Sequence, residues 1–125
     1  MARFETGAYR ETLAAVDTGG GVVSLANPEG AELYVERLIL NITSPSLGAC
    51  TLDAGIAEGA TASSDNLIDG LSAASAAQVA DNITNGGSNG KAGQNWGASE
   101  FLTVSVASGA AAGIAGTALV HYTLL

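Results

Sequence analysis

Residues 101–125 read FLTVSVASGAAAGIAGTALVHYTLL. Two runs with strand character, 100–107 and 116–125, flank a loop made almost entirely of Gly, Ala and Ser. In the first run Leu102, Val104 and Val106 share one face, with Thr103 and Ser105 on the other. In the second, Ala118, Val120, Tyr122 and Leu124 share one face, with Leu119 and His121 opposite. A period of two is what a strand with one buried face requires. The second run reaches the last residue, so the C-terminus is expected to be built into a sheet. The connecting SGAAAGIAG is too small to form a long ordered lid, and its side chains permit close backbone approach to a neighbour.

The same style continues upstream. Residues 31–43, AELYVERLILNIT, place Leu38, Leu40 and Ile42 on a core face and Val35, Arg37, Ile39 and Asn41 on a mixed one. Residues 48–57, GACTLDAGIA, align Cys50, Leu52, Ala54 and Ile56 against Thr51 and Asp53. Further strands are expected at 13–16, 22–26, 77–84 and 94–97, although the Ala-rich 71–80 also suits a short helix. Turn chemistry separates the runs. Asn27-Pro28-Glu29-Gly30 has Pro and Gly where a β-turn takes them, and the triple glycine 19–21 supplies positive φ. Asn85-Gly86 and Asn89-Gly90 are hairpin-type pairs, and Pro45 ends a strand because it cannot donate to a ladder. About eight short strands at this spacing predict an all-β fold, an antiparallel β-sandwich of jelly-roll-like type. Residues 13–125 form its single domain, and 1–12 an extended N-terminal arm.

Composition narrows the function. The chain has 125 residues, 47% hydrophobic but only 5% aromatic, with 13% charged and a net charge of −8. Lys91 is the only lysine and the arginines are Arg3, Arg10 and Arg37. Phosphate contacts dominate nucleic-acid affinity, so neither nucleic acid nor an anionic membrane surface is an expected partner. No run is long and apolar enough for a membrane span, and the N-terminus lacks the apolar segment of a secretory signal. Synthesis in a cytoplasm is the simplest expectation. Cys50 is alone, which excludes an intrachain disulfide and suits a small buried hydrophobe.

Chemical motifs are missing. The sequence has no phosphate-binding loop and no G-x-S-x-G elbow, and one Cys and one His do not make a usual zinc site. No catalytic residue, cofactor or metal is assigned, and no enzymatic activity is expected. Asp65 and Asp69 flank an apolar Leu67-Ile68 plug, but calcium-loop spacing is absent, so these carboxylates read as loop caps. The candidate partner-binding residues are Arg3, Phe4, Tyr9 and Arg10 in the arm, together with Trp96. The arm reads either as a frayed terminus or as a segment that docks on a neighbour. Trp96, the only tryptophan, reads as a core or interface anchor or as a ligand platform beside Tyr34.

The block ERLILNITSPSLGACTLDAGIAEGATASSDNLIDGL, the later NGGSNGKAGQNW and the closing GIAGTALVHYTLL resemble small proteins encoded among tailed-phage and prophage structural genes. The resemblance covers roughly residues 31–125. It implies a virion component, best a capsid decoration or cement protein on the capsid exterior. The implied partners are the major capsid protein and further copies of the chain, as a homotrimer. No active-site residue is carried over. Tail, neck and head-fibre components, and a receptor- or carbohydrate-binding sandwich, are the alternatives.

Overall fold

The computed structural model describes residues 5–125. Nine strands form two antiparallel sheets: β1 (Thr6–Thr12), β2 (Val23–Ala26), β3 (Leu33–Ser44), β4 (Cys50–Ala57), β5 (Ile68–Ser72), β6 (Gln78–Asp81), β7 (Gln94–Trp96), β8 (Phe101–Gly109) and β9 (Ala115–Leu124). One sheet runs β1-β9-β3-β6, with β7 also paired to β3, and the other runs β2-β8-β4-β5. The chain is therefore an all-β sandwich. Its pairing is nested: β1 joins β9, β2 joins β8, β3 joins β6 and β4 joins β5. The β3·β9 and β4·β8 ladders close each sheet at its centre. No described residue is helical, and Gln78–Asp81 forms a strand.

The two inner faces make one core. β3 contributes Leu33, Val35, Leu38, Leu40 and Ile42, and β4 contributes Cys50, Leu52, Ala54 and Ile56. β8 adds Leu102 and Val104, and β9 adds Ala118, Val120 and Tyr122. Each buried Leu, Ile or Val among them stabilises the fold by roughly 1.5–3 kcal/mol. Trp96 is the largest fully buried side chain. Its ring meets Tyr122 edge-on at 6.4 Å, and its indole N–H donates to the Glu100 carbonyl at 3.0 Å.

Val35 departs from the sequence reading, which placed it with Arg37 and Ile39. It is fully buried. The β3·β9 register pairs Val35 with Tyr122 and then Arg37 with His121, so Glu36 is an extra residue, a β-bulge. That residue resets the alternation, and both Val35 and Leu38 point inward. The Thr123 hydroxyl donates to the Glu36 carboxylate and holds the bulge.

Three other expectations are corrected. Residues 13–16 are not a strand. They begin the crossing between the sheets, where Leu13 N–H donates to Gly116 O and Ala14 N–H to Val22 O, each at 3.0 Å. Within the expected arm, Thr6–Thr12 is an edge strand of the sandwich, paired residue for residue with β9. Thr103 and Ser105 of β8 do not face solvent but are buried. The Thr103 hydroxyl donates to Ala62 O at 2.8 Å, and Ser105 Oγ accepts from Gly20 N–H at 2.8 Å. Two loops thus lie flat on the outer face of β8. Gly20 permits this: its φ is +66°, and a Cβ there would press on the Ala60 carbonyl.

Candidate functional site

The outer face of the β1-β9-β3-β6 sheet is one candidate surface. Cross-strand register builds it in rows. Arg10 lies opposite Leu119, which lies opposite Ile39, and Ile39 faces Asp81. The next row runs Thr12, Thr117, Asn41, Val79, and the row before it runs Ala8, His121, Arg37. Arg10, Ile39, Asn41, Val79, Thr117 and Leu119 line an open groove of about 510 Å³. Its floor is aliphatic, and Val79 is 71% exposed.

Arg10 and Arg37 share this face with two carboxylates, Asp81 in the rows and Glu36, which the Thr123 hydroxyl holds beside them. Arg37 donates to Asp81 at 2.6 Å. Asp81 also accepts from the Thr84 N–H at 2.6 Å. That backbone bond first, and the Arg37 guanidinium second, hold the Asp81 carboxyl below its ordinary range. The arrangement fixes the turn after β6 and leaves Arg10 as the cation at the groove.

A second cluster lies along the β4–β5 edge of the other sheet. Carboxylate oxygens of Asp53, Asp65 and Asp69 all fall within 4.8 Å of one another. Such oxygens are the donors a hard divalent cation takes. Each is also engaged with the chain: Gly70 N–H donates to Asp53 at 2.9 Å, Asn89 N–H to Asp69 at 3.1 Å and the Asn89 side-chain amide to Asp65 at 2.9 Å. Desolvation raises the Asp53 carboxyl, against the lowering effect of the Gly70 bond, and the neighbouring Asp69 and Asp65 charges add to the rise. Of the two carboxylates expected as loop caps, Asp69 takes a backbone N–H, although it lies in β5, and Asp65 holds the Asn89 side chain instead. Asp53 joins them from β4, a proximity that linear spacing does not reveal.

The remaining titratable groups stay apart. Cys50 is buried on an inner face, and desolvation followed by the Asp17 charge raises its thiol. His121 faces outward from the other sheet, so it cannot activate that thiol. The Tyr122 hydroxyl donates to Glu29 at 2.6 Å. Burial, and then that carboxylate, push its pKa up to about 12.

Of the sequence-derived partner residues, Arg10 lines the groove. Tyr9 lies on the opposite side of β1 and is 43% exposed. Trp96 is corrected: it is fully buried, so it anchors the core and offers no surface to a partner or ligand. Arg3 and Phe4 lie outside the described residues. Ile39 and Leu119 sit on the mixed outer alternation of 31–43 and 116–125, but only the strand order brings them together with Val79 of β6. No protein family, curated protein or solved structure matches the chain.

Proposed function

We propose that the chain is a structural protein of a tailed-phage virion, a decoration or cement protein on the outside of the head. Its partners are the major capsid protein and further copies of itself. It is made in the host cytoplasm and performs no chemistry. The nested pairing of first strand with last, second with eighth, third with sixth and fourth with fifth carries this reading. A chain folded back on itself and rolled into two sheets in that order supports a jelly roll with β7 inserted, an architecture used by viral coat domains and lectins. Fold alone does not assign function. The resemblance of residues 31–125 to phage structural proteins supports the virion assignment, and the groove provides a surface for the lattice.

An aliphatic floor with the single cation Arg10 at its margin, on an acidic chain, suits a partner surface that is apolar at its centre with a carboxylate placed for Arg10. The testing measurement is copy number per purified particle against the major capsid protein, by quantitative mass spectrometry. Hundreds of copies at a simple ratio support the decoration role. A handful moves the chain to the tail, neck or fibres, and absence from particles ends the virion reading. In a binding assay with particles lacking the protein, Leu119→Asp should weaken binding while the melting temperature stays near that of the parent. Undiminished binding would show that this face does not meet the lattice.

A further inference from the structure

We propose that the edge of β1 that no described residue pairs is a two-fold self-association site, on which β1 of a second copy pairs antiparallel to extend the sheet. This inference does not depend on the virion reading. The four sheet edges differ in kind. β2 has four residues, and β5 has five with a register break opposite β4 and Gly70 at φ +74°. The edge opposite β1 is divided between β6 and β7, of four and three residues. Short, broken edges are how folds avoid unwanted pairing. β1 has none of these features. It runs seven residues in unbroken register with no proline, and its two charges, Arg10 and Glu11, are of opposite sign.

The hydrogen-bond phase of β1 is fixed at both ends. Leu124 N–H donates to Glu5 O at 2.9 Å, and Leu13 N–H donates to Gly116 O at 3.0 Å. Antiparallel partners alternate between bonded and non-bonded pairs, so the odd-numbered residues 5–13 turn their peptide groups toward β9. Thr6, Ala8, Arg10 and Thr12 turn theirs toward the open edge. A second β1 must align even-numbered with even-numbered residues to satisfy them.

Charge and overlap then select among the allowed registers: centring on Gly7 leaves Arg10, Glu11 and Thr12 opposite no residue of β1. Centring the axis on Arg10 sets two arginines opposite each other. Centring it on Ala8 sets Glu5 opposite Glu11. Like charges directly opposite are unfavourable in a sheet. Centring on Tyr9 pairs Thr6 with Thr12 and Ala8 with Arg10, in both directions. It leaves no like charges opposite, overlaps all of β1, and sets the two half-exposed tyrosines side by side on the axis. An interface that matches itself in this way is isologous and closes as a dimer.

Sedimentation equilibrium across a dilution series tests this. The expected result is a reversible species of twice the 12.3 kDa chain mass. Ala8→Pro removes an N–H that points at the open edge and none that points at β9. It should weaken the dimer by at least about tenfold, since the loss occurs twice, with the circular dichroism and melting of the monomer retained. Ala8→Lys sets a lysine opposite Arg10 of the second copy and should also weaken association. Adding Arg10→Glu to that variant should restore it, which the loss of a merely structural role would not. A monomer at every concentration overturns the proposal. So does a three-subunit species, an association indifferent to Ala8→Pro, or a double variant no tighter than Ala8→Lys alone.

Discussion

Three asparagines hold together what large side chains hold in other domains. The Asn27 amide donates to Ala31, Trp96 and Gly97 carbonyls, while its oxygen accepts from Glu29 and Gly30. Asn66 makes a reciprocal pair with the Ile56 peptide groups. Asn82, buried at 2% exposure, accepts from Leu38 N–H at 2.8 Å and donates to Lys91 O and Ala92 O. Asn82→Ala strands a buried N–H of β3 and frees the 85–92 loop, so it should cost about 2–4 kcal/mol in chemical unfolding. A loss under 1 kcal/mol would mean that water replaces the amide. Asp53 makes a prediction of opposite sign. Its folded pKa is raised, so the native state binds that proton more tightly than the unfolded chain does. Stability from this group therefore falls as pH rises from the ordinary value of 3.8 through the raised one. Asp53→Asn keeps an oxygen for the Gly70 N–H and removes the charge. It should raise the melting temperature at neutral pH, and the gain should vanish below the ordinary pKa. A lower melting temperature at pH 7 would show that the carboxylate is needed there as an anion.

The strands separate what sequence made legible from what it did not. β3, β4, β8 and β9 were readable because each buries an alternating face, and Leu38, Leu40, Ile42, Leu52, Val104 and Val120 all fall inside as their spacing required. β1 was not, since it buries almost nothing and is held through its backbone. β5 was hidden because Gly70 and the register break beside it interrupt any period. Thr103 and Ser105 were misplaced for a third reason: loops from elsewhere in the chain cover them, and alternation reports only polarity. Of the site, Arg10 was found, while the groove floor required knowing that β9 lies between β1 and β3. The bulge at Glu36 yields a test at this scale. Deleting Glu36 joins Val35 directly to Arg37 and restores simple alternation, so the fold should survive with a loss of about 1–2 kcal/mol. Deleting Asn41 instead turns outward either Ile42, if the second register shift after it absorbs the slip, or Leu38 and Leu40, and should cost about 2–5 kcal/mol. Equal tolerance of the two deletions would contradict the assigned bulge.

At the scale of the molecule, nested pairing gives the two ends of the described chain unequal weight. β9 lies between β1 and β3 and carries Ala118, Val120 and Tyr122 into the core. β1 lies outside β9, and its side chains are mostly exposed. For β1, each backbone hydrogen bond contributes roughly 0.5–1.5 kcal/mol, and ordering each residue costs roughly 1–2 kcal/mol. These nearly cancel, so its net contribution rests on what its inner side covers, Gly7 against the Tyr122 ring and the half-buried Tyr9 opposite Val120. Removing residues 1–12 should leave a cooperative β-sandwich that is about 1–3 kcal/mol less stable. It should also remove the Arg10 side of the groove and, with it, part of any partner binding. Removing residues 115–125 should leave no cooperative transition, because β3 loses its longest ladder and the core loses one wall. Far-ultraviolet circular dichroism and urea unfolding of the two truncations decide the matter. A collapsed N-terminal truncation would show that β1 is a structural wall. A folded C-terminal truncation would show that the sandwich does not depend on joining its first and last strands.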